Sequence, residues 1–538
     1  MITAPSRRDE PTTLQPFALR PVLVTAAVGV ALLLLTAGRY GYHRDELYFL
    51  ACARHLAWGF VDQPPLTPAI AWLSHAIAPD SLVVLRLIPA LIYGSLVLLA
   101  ALTARELGAG RIGQIGASVC AAASPGLLLA GHLLSTTTPD LLAWALVSFL
   151  LIRLLRTQDE RLWLAVGLTI GIGLENKWSI GFLVIGLLVG LVLTPQRRFL
   201  WTPWFAGGVL IALVLWAPNL WWQSQHDWPQ IALFRSLGSS SHDVASTITW
   251  LPYQLLITGP VGAAVWVAGL YRLLKQPEAR TYRAVGIAYV LLAVVLAIGA
   301  GDKQYYVAGL YVPLWGAGGR PLEGWLARHR TGPARAITVT GFAVTTLLLL
   351  PGALPVLPES AVADSGGLNP ELGEQIGWPD LVSQVAGAWR SLPESERADA
   401  AIFASNYGEA GAIDRFGPSL GLPRAYSGHN SYWWWGSPPA TTARSLRSAS
   451  RTGATWSRGS EACDVSERSR TRGTSRTTSK GCRSGSSPTR SGRGPRSGND
   501  PAITTDRERI PHDERCSTPG PSLRRRRHER LSVRPRFR

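Results

Sequence analysis

The chain has 538 residues, 47% of them hydrophobic, and a formal net charge of +18. Residues 441–538 hold 24 of the 53 Lys+Arg and 9 of the 35 Asp+Glu, which leaves residues 1–440 near +3. The basic balance therefore describes a tail and gives no ground for a nucleic-acid partner. The five cysteines (Cys52, Cys120, Cys463, Cys482, Cys516) have no spacing that suggests a metal site or a disulfide framework.

A hydrocarbon core of about 30 Å takes about 20 apolar residues as a helix. Spans are predicted at 21–38, 82–104, 112–131, 139–156, 161–174, 178–194, 202–219, 250–271, 284–300, 304–319 and 336–355, about eleven in all. The stretches 161–174 and 304–319 are short enough to be tilted, broken or half-buried in protein. The first span is an uncleaved anchor, because its apolar run is long for a secretory signal and no small-residue cleavage site follows it. Alternate connections carry eighteen and seven Lys+Arg. Basic connections stay cytoplasmic. This puts residues 1–20 inside the cell, a membrane domain at 21–355 with a first outer loop at 39–81, and an extracytoplasmic domain at 356–440, all in the plasma membrane.

The basic residues on the sparse side carry the functional signal, since an ionisable group at membrane depth needs a partner or a cavity. The first outer loop opens with Arg39-Tyr40-Gly41-Tyr42-His43-Arg44-Asp45-Glu46-Leu47-Tyr48. Neighbouring carboxylates point apart, so Asp45 is free to face a cavity while Glu46 pairs with Arg44 or Arg54. A carboxylate is a suitable base for a hydroxyl. An interfacial salt-bridge cluster is the competing reading. The loop continues as Asp62-Gln63-Pro64-Pro65-Leu66, whose prolines forbid regular helix. The second outer loop, Ser135-Thr136-Thr137-Thr138-Pro139-Asp140, ends in a helix start with an acidic first turn. The turn Glu175-Asn176-Lys177-Trp178 offers Lys177 to a phosphate, or else a Glu175–Lys177 surface pair. A last turn, Gly301-Asp302-Lys303-Gln304-Tyr305-Tyr306, adds a cation and two aromatics. Such turns suit one task, which is to hold an anionic head group beside a base.

In this order the motifs HRDELY, DQPPL, TTTPD, NKW and GDKQYYVAGLYVPL resemble polytopic GT-C glycosyltransferases. The resemblance is specifically to the family 39, protein-mannosyltransferase-like group that includes the aminoarabinose transferase of lipid A. The likeness covers roughly residues 20–440, where Asn406-Tyr407-Gly408-Glu409-Ala410-Gly411 and Ser427 to Gly436 look like the outer domain of bacterial members. It implies a polyprenyl-phosphate-linked sugar donor and inverting transfer to a protein, lipid or glycan hydroxyl on the outer face. It also implies an Asp45–Glu46 catalytic pair, a second acidic position at Asp140, and a donor-phosphate turn at Lys303, Tyr305 and Tyr306. Some members carry a lysine where Gln63 stands. Phosphate neutralisation then falls to Arg44, Arg54, Lys177 or Lys303. The scheme asks for no cofactor and no metal.

The stretch 391–417 is predicted as a strand, a glycine-bearing turn and a helix, part of a small α/β domain. After Ala440 only nine of 98 residues are Leu, Ile, Val, Phe, Trp, Tyr or Met, and Arg, Ser, Gly, Pro and Thr dominate. That composition predicts a disordered tail over 441–538. It is a genuine basic arm or the product of a frameshift that truncates the outer domain. The competing function is a non-enzymatic transporter or lipid-linked sugar flippase. Against it, no inverted repeat is visible and the charges gather in loops rather than mid-span.

Overall fold

This computed structural model describes residues 14–239, 244–299, 304–329, 332–364, 369–398, 400–436, 438, 444–448 and 464–467. The chain divides into two units, Met1–Ser469 and Arg470–Arg538. The second unit, like Lys303, lies outside the described residues.

The first unit is mainly helical. In order come α1 (Leu19–Thr36), α2 (Arg44–Ala53), α3 (Leu66–Ile77), α4 (Leu82–Glu106), α5 (Arg111–Ala122), α6 (Pro125–His132), α7 (Thr137–Thr157), α8 (Leu162–Leu174) and α9 (Ile180–Val192). They continue as α10 (Pro203–Gln225), α11 (Pro229–Ser239), α12 (Val244–Thr258), α13 (Pro260–Lys275), α14 (Arg283–Gly299), α15 (Tyr311–Arg328) and α16 (Pro333–Ala353). Among the described residues, five helical segments are long and apolar enough to cross a bilayer, or eight if each bent pair counts as one span. Every stretch predicted as a span is largely helical, but several are shorter or more bent than a plain span. The stretch at 250–271 is broken: α12 and α13 meet at 106°. Gly259 takes a left-handed φ of 69° there and Pro260 starts the next helix, where its missing N–H costs nothing. The stretch 304–319 is a 3-10 turn, Gln304–Leu310, running into the buried half of α15. On α10, by contrast, only 17% of the apolar window is buried, and Leu210 and Val214 lie open. Apolar side chains uncovered around a helix fit lipid as the solvent.

A second core lies apart from the helical one. It joins Leu47 and Tyr48 of α2, Phe60, and Ala71 of α3 to the α/β cap formed by the chain after α16. The cap contains α17 (Glu359–Asp364), α18 (Pro370–Gly373), α19 (Trp378–Ser391), α20 (Glu394–Arg397), β1 (Ala400–Ala404), α21 (Tyr407–Phe416) and β2 (Ala425–Ser427). The first loop thus packs with the cap, although it precedes α4 in sequence. The strand and helix predicted within 391–417 are β1 and α21. The glycines fall inside the helix rather than in the turn. A Cβ at Gly408 would lie 2.8 Å from Cβ of Arg44, and one at Gly411 would lie 3.0 Å from the Leu47 backbone, so their absence lets α21 close onto α2.

The sheet is completed by β3 (Arg444–Ser448) and β4 (Asp464–Glu467), in the order β2-β1-β3-β4. β2 and β3 run parallel to β1, with Ile402 opposite Ala425 and Leu446, and β4 is antiparallel to β3. This corrects the reading of 441–538 as structureless at those two segments. A strand edge pairs through backbone N–H and C=O, which a polar sequence supplies as well as an apolar one. The rest of the tail lies outside the described residues.

Candidate active site

The start of α2 is built by a reciprocal cap. His43 Nδ1 accepts from the Asp45 N–H at 3.2 Å, and the His43 N–H donates to Glu46 Oε2 at 2.9 Å. The cap turns the neighbouring carboxylates apart. Glu46 is fully buried, with Arg86 Nε at 2.9 Å from Oε1, Arg86 Nη2 at 2.8 Å from Oε2, and the Leu134 N–H at 3.1 Å. Arg86 also donates to the carbonyls of Ala37 and Gly41, both at 2.7 Å, and lies against His132 and Gln375. Burial alone would raise the Glu46 carboxyl, but Arg86 outweighs it and holds the group below its usual range. The expected pairing of Glu46 with Arg44 or Arg54 is thus corrected, and Glu46 has no oxygen left for a substrate. The sequence did carry a signal for this partner, since Arg86 interrupts an apolar span.

Asp45 is different. Its side chain is about one-third exposed (32%). Oδ1 accepts from the Tyr407 hydroxyl at 2.7 Å and lies 3.5 Å from Arg44 Nε. No hydrogen bond to Oδ2 is formed among the described residues. Arg44, expected to meet a phosphate, is instead held by Glu374 at 2.7 and 2.8 Å. Arg54 stands ten residues further along α2, about 15 Å away, where it reaches the Asp414 carbonyl. It does not join the cluster near Asp45. Tyr407 was not singled out by the sequence reading, although its motif was.

The DQPPL segment acts as a brace. Asp62 accepts from the Tyr48 hydroxyl at 2.7 Å and from Asn430 Nδ2 at 3.0 Å, and burial pushes its carboxyl up to about 6. Gln63 is buried against Cys52 Sγ at 3.8 Å, so it does not replace a phosphate-binding lysine. Pro64 leads into Pro65, which caps α3.

The turn between α8 and α9 is tied to this brace. The Leu66 N–H donates to the Glu175 carbonyl at 2.9 Å. Asn176 accepts from the Thr67 hydroxyl and donates to the Thr136 carbonyl, both at 2.7 Å. Lys177 is thereby held over the rings of Tyr305 (5.3 Å) and Tyr306 (4.6 Å). It forms no ion pair among the described residues. Asp140, at the start of α7, accepts from Trp144 Nε1 at 3.1 Å and from Ser179 Oγ at 2.8 Å, and lies within electrostatic reach of Lys177. Glu371, Asp45 and Asp140 all act electrostatically on the Tyr305 hydroxyl, Glu371 the most strongly of the three. Four separated motifs therefore converge. Glu175 forms no ion pair with Lys177 among the described residues: its carboxylate oxygens are buried with no side-chain partner, and burial pushes the group up to about 7 against the pull of the Asn219 backbone N–H.

Residues 62–222 match the family model for dolichyl-phosphate-mannose-protein mannosyltransferase. The structure is similar to ArnT from Cupriavidus metallidurans in the apo state, with 14% identity, a TM-score of 0.55, and coverage of 79% of this chain and 92% of that one. Against the same protein bound to undecaprenyl phosphate the values are 16%, 0.52, 76% and 85%. The fold is that of the GT-C glycosyltransferases. A lipid A galacturonosyltransferase, RgtD from Rhizobium johnstonii, is 24% identical over 287 residues, which are 50% of this chain and 59% of the relative. Within the GT-C frame, the matched segment contains Asp62, Asp140 and Lys177 and leaves out the start of α2.

Proposed function

We propose that this chain transfers a glycosyl group from a polyprenyl-phosphate-linked donor to an acceptor hydroxyl at the outer face of the membrane, with inversion. The observation that carries the reading is the meeting of a carboxylate, Asp45, and a cation, Lys177, around the Tyr305–Tyr306 turn, where among the described residues Asp45 Oδ2 accepts no hydrogen bond and Lys177 forms no ion pair. The ArnT structure with undecaprenyl phosphate supports a lipid-linked donor, and the RgtD relative supports sugar transfer.

The acceptor hydroxyl gives its proton to Asp45 Oδ2 as its oxygen attacks the anomeric carbon. The bond from that carbon to the phosphate oxygen breaks, and the lipid phosphate leaves with the electron pair. Lys177, a point charge on an aromatic floor, meets the charge that gathers there. The Tyr407 hydroxyl fixes Asp45 in one rotamer. Asp140, through Ser179 and Trp144, steadies the turn that carries Lys177. Glu46 acts through α2 as a positioning residue and touches no substrate.

The test is transfer from radiolabelled polyprenyl-phosphate sugars by the purified full chain, compared with Asp45→Asn. Turnover undiminished in the variant would remove Asp45 as the base. Absence of transfer from any such donor by the wild-type chain would remove the reaction.

A further inference from the structure

The far end of α2 carries a cavity that the transfer reaction does not use. Its volume is about 220 Å³, and Arg54, His55, Asp414, Arg424, Tyr432 and Trp435 are among the residues that line it. That is below the roughly 300–1,000 Å³ of drug-sized sites, and suits one sugar residue. Two guanidinium groups face it, and among the described residues neither forms an ion pair. The single carboxylate of the wall is already committed: Asp414 accepts from the Ala425 N–H and the Tyr432 hydroxyl, both at 2.9 Å. Its charge still acts on both Arg54 and Arg424 and offsets one of them, so the wall keeps a net charge of one positive unit. Trp435 stacks on His55 at 4.5 Å and meets Tyr432 edge-on at 4.8 Å, which makes an aromatic wall. Burial and the two arginines hold His55 below its ordinary pKa, against the pull of Asp414, so the imidazole adds little charge of its own.

Two guanidinium forks that form no ion pair among the described residues match a carboxylate or a phosphate, and an aromatic wall matches the C–H face of a pyranose. We propose that this cavity binds an anionic sugar residue, a uronate or a sugar phosphate, belonging to the acceptor. The acceptor assignment rests on the transfer reading above; anion binding does not. The cavity lies about 15 Å along α2 from Arg44, so the acceptor spans a few sugar units between anchor and base. Arg54 thus serves the acceptor rather than the donor phosphate.

The test is calorimetric titration of the purified full chain with glucose 6-phosphate, glucuronate and glucose. At least one anion should bind ten-fold or more tightly than glucose. Arg54→Ala with Arg424→Ala should abolish that preference while leaving the unfolding temperature in place, since both side chains are exposed. If the pair unfolds early, Arg424→Ala alone carries the same test, its guanidinium lying over Tyr426. Preference for glucose 6-phosphate alone assigns a phosphate, and preference for glucuronate alone a carboxylate. Equal binding of all three sugars, or a preference that survives the arginine variants, overturns the site. Binding is read without turnover: a chain that prefers anions but transfers no sugar keeps the cavity's ligand and loses the transfer reading. A chain that transfers sugar without anion preference loses this proposal only.

Discussion

Two cations near the start of α2 have opposite fates. Arg86 is 1% exposed and meets Glu46, two backbone carbonyls, His132 and Gln375. Lys177 rests on two aromatic rings and forms no ion pair among the described residues. A saturated buried charge fixes architecture, because every bond it makes is spent inside the fold. A charge held in place but unpaired is ready for a ligand. The adjacent carboxylates divide the same way, Glu46 with Arg86 and Asp45 with the open side.

The largest effect should come from breaking the saturated pair. Glu46→Ala strands Arg86 in the interior, and losing one partner of a buried pair costs about 3–5 kcal/mol. The variant should fail to accumulate in membranes or unfold early in detergent, read by fluorescence-detected thermal melts. An unchanged melt would mean that the knot does not hold α2. Asp45→Asn inverts the pattern. Transfer should fall on the order of 10²–10⁴-fold, with a melting temperature close to wild type. A variant that loses stability instead would place Asp45 with Glu46 on the structural side.

Lys177→Ala should cost on the order of a hundredfold in kcat/KM, with the loss shared by short-chain and full-length lipid donors because the phosphate is common to both. A loss confined to one chain length would assign Lys177 to the lipid rather than the phosphate. Tyr407→Phe removes one hydrogen bond from Asp45, worth about 1 kcal/mol, and should slow transfer about five-fold without changing acceptor KM. A wild-type rate would leave the cap with no part in orienting the base.

Much of this was legible before the structure. Apolar runs marked the helices, because a bilayer demands length and apolarity from each span. The strand β1 and helix α21 followed from local pattern. A gathering of charged outer turns was expected from the loop charges, with Lys303 among its cations; the geometry brings Asp140, Lys177 and the Tyr305–Tyr306 turn together, and Lys303 lies outside the described residues. Pairing was less legible. Nothing in the run 39–54 says that Glu46 selects Arg86, forty residues on, over Arg44 two positions away. Nor does the sequence show that Arg44 turns to Glu374 in the cap. Such choices depend on where helices cross, and the glycines of α21 that set one crossing read equally well as a turn. The fate of 250–271 was decided by one Gly-Pro step that a hydropathy window averages away.

The smallest effect tests the one charge that fits neither class. The carboxylate oxygens of Glu175, a half-buried residue, are covered like those of Glu46 but meet no side-chain partner among the described residues. Its folded-state value of about 7 stands above the ordinary 4.5. Between those values the folded chain keeps a proton that the unfolded chain has released. Stability contributed by this group is therefore greatest below about pH 4.5, falls as pH rises, and stops falling above about 7. Glu175→Gln removes the dependence while keeping the shape. Melts should then show the variant and wild type together at about pH 4 and the variant more stable at pH 8. If wild type is the more stable at pH 8, the carboxylate has a partner there, and the nearby Lys177 becomes half of a saturated pair rather than the open cation on which the comparison rests.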